Sequence, residues 1–299
     1  MTVLTFWRRS RGDMAAPDRP APREAVVLSG GGSLGAAQVG ALQAMFEAGI
    51  LPDVIVGCSV GAMNGAFVAV DPTPARLAEL EQVWRGLSRS TVFPDGRFTV
   101  ASRLARRRNY LFSDEGLRGV IRAGVPVADL ADTAIPLHVV TTDLRAGQPV
   151  WWTSGDPVDV LSASACLPGL FPPVEIDGAL HVDGGVTCPV PTQRALDLGA
   201  TRVWVLDVSS EHHGWTAPRM TAMDVLLESF AISRSHLARR ESVVAAGQRV
   251  VNLPALRIGR HDIRDFSKTS ALLSAGREAG RAMIAAERTS SGPQRLVTA

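Results

Sequence analysis

Val54-Ile55-Val56-Gly57-Cys58-Ser59-Val60-Gly61-Ala62-Met63-Asn64-Gly65-Ala66 reads as a short buried strand that runs through Gly57-x-Ser59-x-Gly61 into a helix of small residues, the strand-turn-helix setting of a nucleophile elbow. A turn this sharp leaves no room for a Cβ on either side of Ser59, which is why Gly57 and Gly61 flank it. Ser59 then sits at a helix N-terminus, with Val60 opening the helix, where backbone N–H groups favour negative charge. Ala62, Gly65 and Ala66 allow that helix to lie close on a sheet.

Upstream, Ala25-Val26-Val27-Leu28 has the unbroken apolar character of a strand buried on both faces. It runs into Ser29-Gly30-Gly31-Gly32-Ser33-Leu34-Gly35 and a helix that reaches about Ala48, where Gly49 and Pro52 stop it. Strand, helix and the Val54 strand form a βαβ unit, which predicts a parallel sheet with a right-handed crossover. The glycine loop and Ser59 then leave neighbouring strands at the same sheet edge, where open α/β sheets bind ligands.

Further along, helices are predicted over Thr73 to Leu87 and Ser113 to Ala123. Strands follow at Leu137 to Thr141, with Pro149 to Thr153 pairing across the Gly147 turn, and at Ala179 to Asp183. A helix from Thr192 to Leu198 ends at Gly199 and leads to a strand from Arg202 to Val208. An amphipathic helix over Ala222 to Ala246, a strand at Arg249 to Leu253, and a helix capped by Ser267 that ends near Ala286 complete the pattern. Residues 1–22 read as a disordered basic, Pro-rich tail, 23–288 as one α/β domain, and 289–299 as a frayed C-terminal tail.

Composition narrows the function classes. The chain has 299 residues, 46% hydrophobic, and a net charge of +2, enough to bury a large core but too nearly neutral for an electrostatically driven nucleic-acid binder. Cys58, Cys166 and Cys188 are the 3 cysteines, widely spaced and without a C-x-x-C pair, so neither a disulfide framework nor a thiolate zinc site is indicated. No metal and no cofactor is called for, since no acidic loop has calcium-ligand spacing. With no apolar run of signal-peptide or membrane-spanning length, a cytoplasmic protein is expected, at most peripheral on a membrane. Two basic stretches bear on that contact: Phe6-Trp7-Arg8-Arg9 with Arg11, and Arg103 with Arg106 to Arg108 ahead of Tyr110-Leu111-Phe112. Each is more often a solvated segment.

A serine nucleophile needs a base and donors for an oxyanion. The donors are Gly30, Gly31 and Gly32, with Val60 at the helix start. Gly30, Gly32 and Gly35 also fit the G-x-G-x-x-G pattern of dinucleotide-binding folds, but that reading requires an acid at the end of the second strand, where this chain has Gly57-Cys58-Ser59. For the base there are 6 histidines and an aspartate to weigh. His212 and His213 lie in a polar loop, His138 within a strand and His236 in a helix beside Arg234; His181 and His261 stay open. Asp183-Gly184-Gly185 brings a carboxylate to a strand end, where two glycines let it approach another chain closely, although a plain Asp-Gly turn has the same spelling.

Gly30 to Gly35, Gly57-Cys58-Ser59-Val60-Gly61, Ala163-Ser164-Ala165-Cys166-Leu167-Pro168 and Asp183-Gly184-Gly185 occur in the order and approximate spacing of the patatin-like phospholipases, which this chain resembles over about Arg23 to Ala286. Asp265 to Thr269, with Gly276 to Ala279 behind it, is similar to the C-terminal end of bacterial members. The resemblance implies a three-layer α/β fold, a central mostly parallel sheet flanked by helices. It further implies a serine hydrolase of lipid acyl esters acting through a Ser59–Asp183 dyad without histidine, with Gly30 to Gly32 as the oxyanion hole. Its partner is then a lipid or acyl-ester substrate. Leu34 stands where many members carry Arg or Lys, a cation expected to hold the oxyanion loop or an anionic head group, so neutral lipid, lysophospholipid and thioester substrates stay open. A non-catalytic lipid-binding or regulatory protein on the same fold is the competing expectation.

Overall fold

The computed structural model describes residues 23–94, 96–208, 221–238, 244–256 and 262–290. The expected tail over 1–22, the last residues 291–299, and His212, His213 and His261 lie outside the described residues.

The chain opens with β1 (Glu24–Leu28), a 3-10 turn at Gly32–Leu34, α1 (Gly35–Glu47), β2 (Val54–Cys58) and α2 (Val60–Val70). Then come α3 (Pro74–Gly86), capped by the Thr73 hydroxyl that accepts from Arg76 N–H, α4 (Arg89–Val92), α5 (Arg97–Ala105) and α6 (Glu115–Gly124). The antiparallel pair β3 (Leu137–Asp143) and β4 (Gln148–Trp152) is followed by α7 (Pro157–Ser164), β5 (Val174–Ile176) and β6 (Ala179–Asp183). The remainder is α8 (Thr192–Asp197), β7 (Arg202–Leu206), α9 (Ala222–Ala238), β8 (Arg249–Asn252) and α10 (Thr269–Ser290).

Among the described residues the strands form one sheet in the order β5-β6-β3-β2-β1-β7-β8, with β4 also paired to β3. β3, β2, β1, β7 and β8 run parallel; β4 and β6 each pair antiparallel with β3, and β5 pairs antiparallel with β6. The expected α/β fold with a central, mostly parallel sheet between helices is therefore the one observed. Alternate side chains serve opposite faces, as a pleated strand requires. Val26, Leu28, Ile55, Leu137 and Trp204 join the large core with α1, α2, α3, α6 and α10. Ala25, Val27, Val54, Val56 and Val203 face the smaller core under α8.

One edge of β3 brings two strand ends together. Val140 pairs with Trp151 of β4 and with Cys58 of β2, while Thr141 pairs with Val150 of β4 and with Asp183 of β6. Because a strand has only two hydrogen-bonding edges, β2 and β6 both lie on the edge opposite β4. They meet end to end at Cys58 and Asp183.

Several elements differ from the sequence expectation, among them the helices α4, α5 and α7, which it did not include. β5 was not expected; it forms because Asp177 and Gly178, both at positive φ (51° and 76°), make the two-residue turn that folds it back on β6. α10 runs on to Ser290, with the Thr289 hydroxyl donating to the Ala285 carbonyl at 2.9 Å in its last turn. α9 is described to Ala238, and residues 244–246 are not helical. The apolar face expected to seal α9 against the core is partly turned outward: Val225, Leu226 and Ile232 are exposed, and the residue it buries is Arg234.

α10 lies against α1 at backbone distance. Gly40 faces the Leu273 carbonyl, and a methyl on Gly276 would overlap the carbonyl of Ala37. Gly276→Ala must push the two helices apart and is expected to cost about 1–3 kcal/mol, read as a lower urea midpoint at unchanged slope. Gly119→Ala, on the exposed side of α6 with nothing within 4 Å of the new methyl, should instead stabilise by about 0.4–1 kcal/mol.

Candidate active site

Ser59 stands between β2 and α2 with φ 54° and ψ −126°, a left-handed conformation that costs a non-glycine residue about 1–3 kcal/mol and persists only where the surroundings impose it. They do so by contact. A methyl on Gly57 would come 2.7 Å from Ala62 N, and one on Gly61 would run into the carbonyls of Leu28 and Ser29. β1, β2 and α2 are packed at backbone distance on both sides of the serine.

Ser164, to which the sequence assigned no role, fixes the elbow further. Its hydroxyl accepts the Ser59 N–H at 2.9 Å and donates to the Val140 carbonyl at 2.7 Å, so the end of α7 ties Ser59 to β3. The glycine loop is anchored from beneath: Gln38 of α1 donates to the carbonyls of Ser29 and Leu206, and Asn64 joins Gln38, Gly35 and the Trp84 indole at 2.9–3.0 Å.

Ser59 Oγ donates to Asp183 Oδ2 at 2.7 Å. The other carboxylate oxygen accepts the Gly185 N–H at 2.7 Å, in the turn that Gly184 and Gly185 form after β6. Asp183 N–H donates to the Cys166 carbonyl at 2.8 Å and the Thr142 hydroxyl to the Asp183 carbonyl at 3.0 Å, which clamps the backbone of the acid from both sides. Asp183 is 1% exposed. Burial pushes its carboxyl above the ordinary value, against the pull of the Arg234 guanidinium and of the bonds from Ser59 and Gly185. A carboxylate so raised is a stronger base than a solvated one.

Among the described residues, no histidine accepts from Ser59 Oγ, whose partner is Asp183. His181, on β6, meets Thr141 Oγ1 through Nδ1 at 3.0 Å and packs edge-on against Trp152, whose indole N–H donates to the same hydroxyl at 2.8 Å. Burial lowers its pKa. His138 lies against Arg194, and His236 is exposed on α9. The cysteines are free, and burial raises all three thiols, that of Cys188 to about 11.

The glycine loop runs past Ser59, but its members differ. Gly30, expected as an oxyanion donor, has its N–H on the Pro189 carbonyl at 3.2 Å, and a methyl there would come 3.2 Å from Ser59 Cβ. Gly31 and Gly32 N–H, and Val60 N–H at the start of α2, have no acceptor among the described residues. Gly35 opens α1. Of the basic run, Arg103 Nη1 donates to the Leu111 carbonyl and Arg106 to Arg108 are exposed; residues 6–11 lie outside the described residues.

A cavity of about 940 Å³, counting space open to solvent, is lined in part by Ser59 and Gly32. Its walls are Phe67, Leu80, Trp84, Leu117, Ile121 and Leu161, with Arg234 near the serine. Arg234 had no signature in the sequence, since one arginine in a helix resembles any surface charge. Among the described residues no cluster of His, Cys, Asp and Glu is placed to hold a metal ion, and no helix is long and apolar enough to cross a membrane. Ser164→Ala strips the acceptor from the buried Ser59 N–H and the donor from Val140; it is expected to lower stability by about 1–3 kcal/mol, measured by urea unfolding.

The chain is 33% identical over 190 residues to patatin-like phospholipase domain-containing protein 7 of Rattus norvegicus, an alignment covering 62% of this chain and 14% of that protein. It is 30% identical over 193 residues to lysophospholipase nte1 of Aspergillus terreus, covering 62% of this chain and 12% of the relative. The chain thus spans well under two thirds of the length of either. Among solved structures, VipD from Legionella pneumophila superposes with a TM-score of 0.48 at 14% identity, over 89% of this chain and 67% of VipD. The family model described as patatin-like phospholipase matches residues 26–196, β1 through most of α8 and more than half of the sequence, and by that match the chain belongs to the patatin-like phospholipase family.

Proposed function

We propose that this protein hydrolyses acyl esters of lipids, with Ser59 as nucleophile and Asp183 as general base. The observation that carries the reading is the 2.7 Å hydrogen bond to a buried carboxylate from Oγ of Ser59, a residue that lines a mainly apolar cavity. The cavity accepts the acyl chain, whose burial contributes about 0.8 kcal/mol per methylene.

Ser59 Oγ attacks the ester carbonyl as its proton passes to Asp183. The tetrahedral oxyanion is held by the N–H groups of Gly31, Gly32 and Val60, at the N-terminus of α2. Collapse breaks the bond to the alcohol, which leaves with the proton from Asp183. A water deprotonated by Asp183 then attacks the acyl-serine, and the fatty acid departs as the proton returns to Ser59. Membership of the family supports the lipid substrate class, and the name lysophospholipase on one relative makes monoacyl lipids the first to assay. The site requires no cofactor for these steps.

A fluorophosphonate probe should add once to the wild-type chain and not to Ser59→Ala, as read by intact mass. Absence of the adduct on folded wild type would turn the reading to a lipid-binding protein without turnover. Asp183→Asn should slow labelling by about 10²–10⁴-fold, the usual contribution of a general base.

The pH dependence has a fixed sign. Only ionised Asp183 takes the proton and burial raises its pKa, so kcat/KM should climb with pH along an acid limb lying above about pH 3.9, the solvated aspartate value; a profile flat down to that value would refute the role. The same raised pKa makes the stability contributed by Asp183 full below its unfolded pKa and lost as pH rises through its folded one. At neutral pH, Asp183→Asn should therefore leave Tm unchanged or higher while activity falls.

A further inference from the structure

We propose that Arg234 is the anion-recognising residue of this site, taking a phosphate group carried by the substrate beside the scissile ester. The inference rests on the acyl-ester reading above and adds to it the charge of the substrate.

Arg234 is 8% exposed, and its Nε and Nη2 are buried without a hydrogen-bond partner among the described residues. Buried guanidinium donors in proteins are ordinarily paired, because their desolvation is otherwise uncompensated. Their placement relates them to the reacting groups. The point where a methyl on Gly30 would stand is 2.9 Å from Arg234 Nη2 and 3.2 Å from Ser59 Cβ, and the equivalent point on Gly185 is 3.1 Å from Arg234 Nε and 2.9 Å from Asp183 Oδ1. The guanidinium thus lies over the glycine loop, beside both members of the Ser59–Asp183 pair. It lines the same cavity as Ser59, among walls that are otherwise mainly apolar.

No neutral lipid offsets this charge. A fork of N–H donors matches a phosphate bidentately, and in an acylated glycerophosphate the phosphate is only a few bonds from the ester. Other nearby groups do not serve: Leu34 is buried in the core beneath the loop, and Arg264 is engaged by Asp262 and Asp224. Arg234 pulls Asp183 toward lower pKa, so a phosphate that neutralises the guanidinium also strengthens the base. Charge recognition and proton abstraction are coupled through one side chain.

Binding in a background without chemistry separates this proposal from hydrolysis itself. The full chain carrying Ser59→Ala would be titrated calorimetrically with a decanoyl glycerophosphate and with the corresponding monodecanoylglycerol, each below its aggregation limit, with and without Arg234→Met. The expected result is a loss of about 10- to 100-fold in affinity for the phosphate lipid, the range of charge-assisted hydrogen bonds, with the neutral lipid unchanged. Arg234→Lys should retain part of the selectivity. The Met variant should melt no lower than its parent, since it replaces buried guanidinium donors that have no hydrogen-bond partner among the described residues with an apolar side chain. Equal weakening of both lipids, an unchanged affinity for the phosphate lipid, or a fall in Tm with both lipids weakened would overturn the proposal and make Arg234 a structural residue. If Arg234→Met fails to fold, Arg234→Gln carries the same comparison. Failure of the parent to bind either lipid would overturn the substrate class and the proposal together, whereas binding without phosphate selectivity would overturn the proposal alone.

Discussion

The arrangement of the site depends on the edge of β3 that β2 and β6 share. Parallel β2 covers its first half and antiparallel β6 its second, so the C-terminal ends of both strands stop opposite adjacent residues, Val140 and Thr141. Ser59 follows one end and Asp183 closes the other. Their 2.7 Å contact is therefore set by backbone pairing, with less left to side-chain choice than in a site assembled from loops. Ser164 reinforces the same junction by binding Ser59 N–H and the Val140 carbonyl.

Around this junction lie features that act against folding: a non-glycine residue at positive φ, a carboxylate 1% exposed and a guanidinium 8% exposed. Stability comes from elsewhere. The sheet is covered on one face by α1, α2, α3, α6 and α10 and on the other by α8, and the Gln38–Asn64–Trp84 hydrogen bonds tie three of those helices together beneath the glycine loop. A rigid scaffold of this kind is what lets strained and desolvated groups persist at a functional site.

The parallel core was legible because continuous apolar strands separated by small-residue helices have few other arrangements. Gly57 and Gly61 were legible for the same physical reason: a backbone-to-backbone contact admits no alternative residue, so the packing is written into the sequence. Asp183 was harder, since Asp-Gly-Gly also spells an ordinary turn, and only its pairing opposite Thr141 gives it a place beside Ser59. β5 escaped notice because three residues are too short for periodicity, although Asp177-Gly178 is a hairpin signal. Ser164 stood in a quoted motif but without a role, and Arg234 carried no signal at all. Each acts through a contact distant in sequence, and Arg234 reverses the local rule by pointing a charge inward while Val225, Leu226 and Ile232 point out.

The separation along the chain also has a consequence for biosynthesis. Ser59 and Asp183 are 124 residues apart, and α9 comes later still. A nascent polypeptide emerges N-terminus first, so the elbow leaves the ribosome long before the strand that carries its hydrogen-bond acceptor. Until β6 has docked on β3, the serine has no buried carboxylate beside it. On the acyl-ester reading, the serine gains its base only when β6 pairs with β3, ahead of β7 and β8 joining the same sheet.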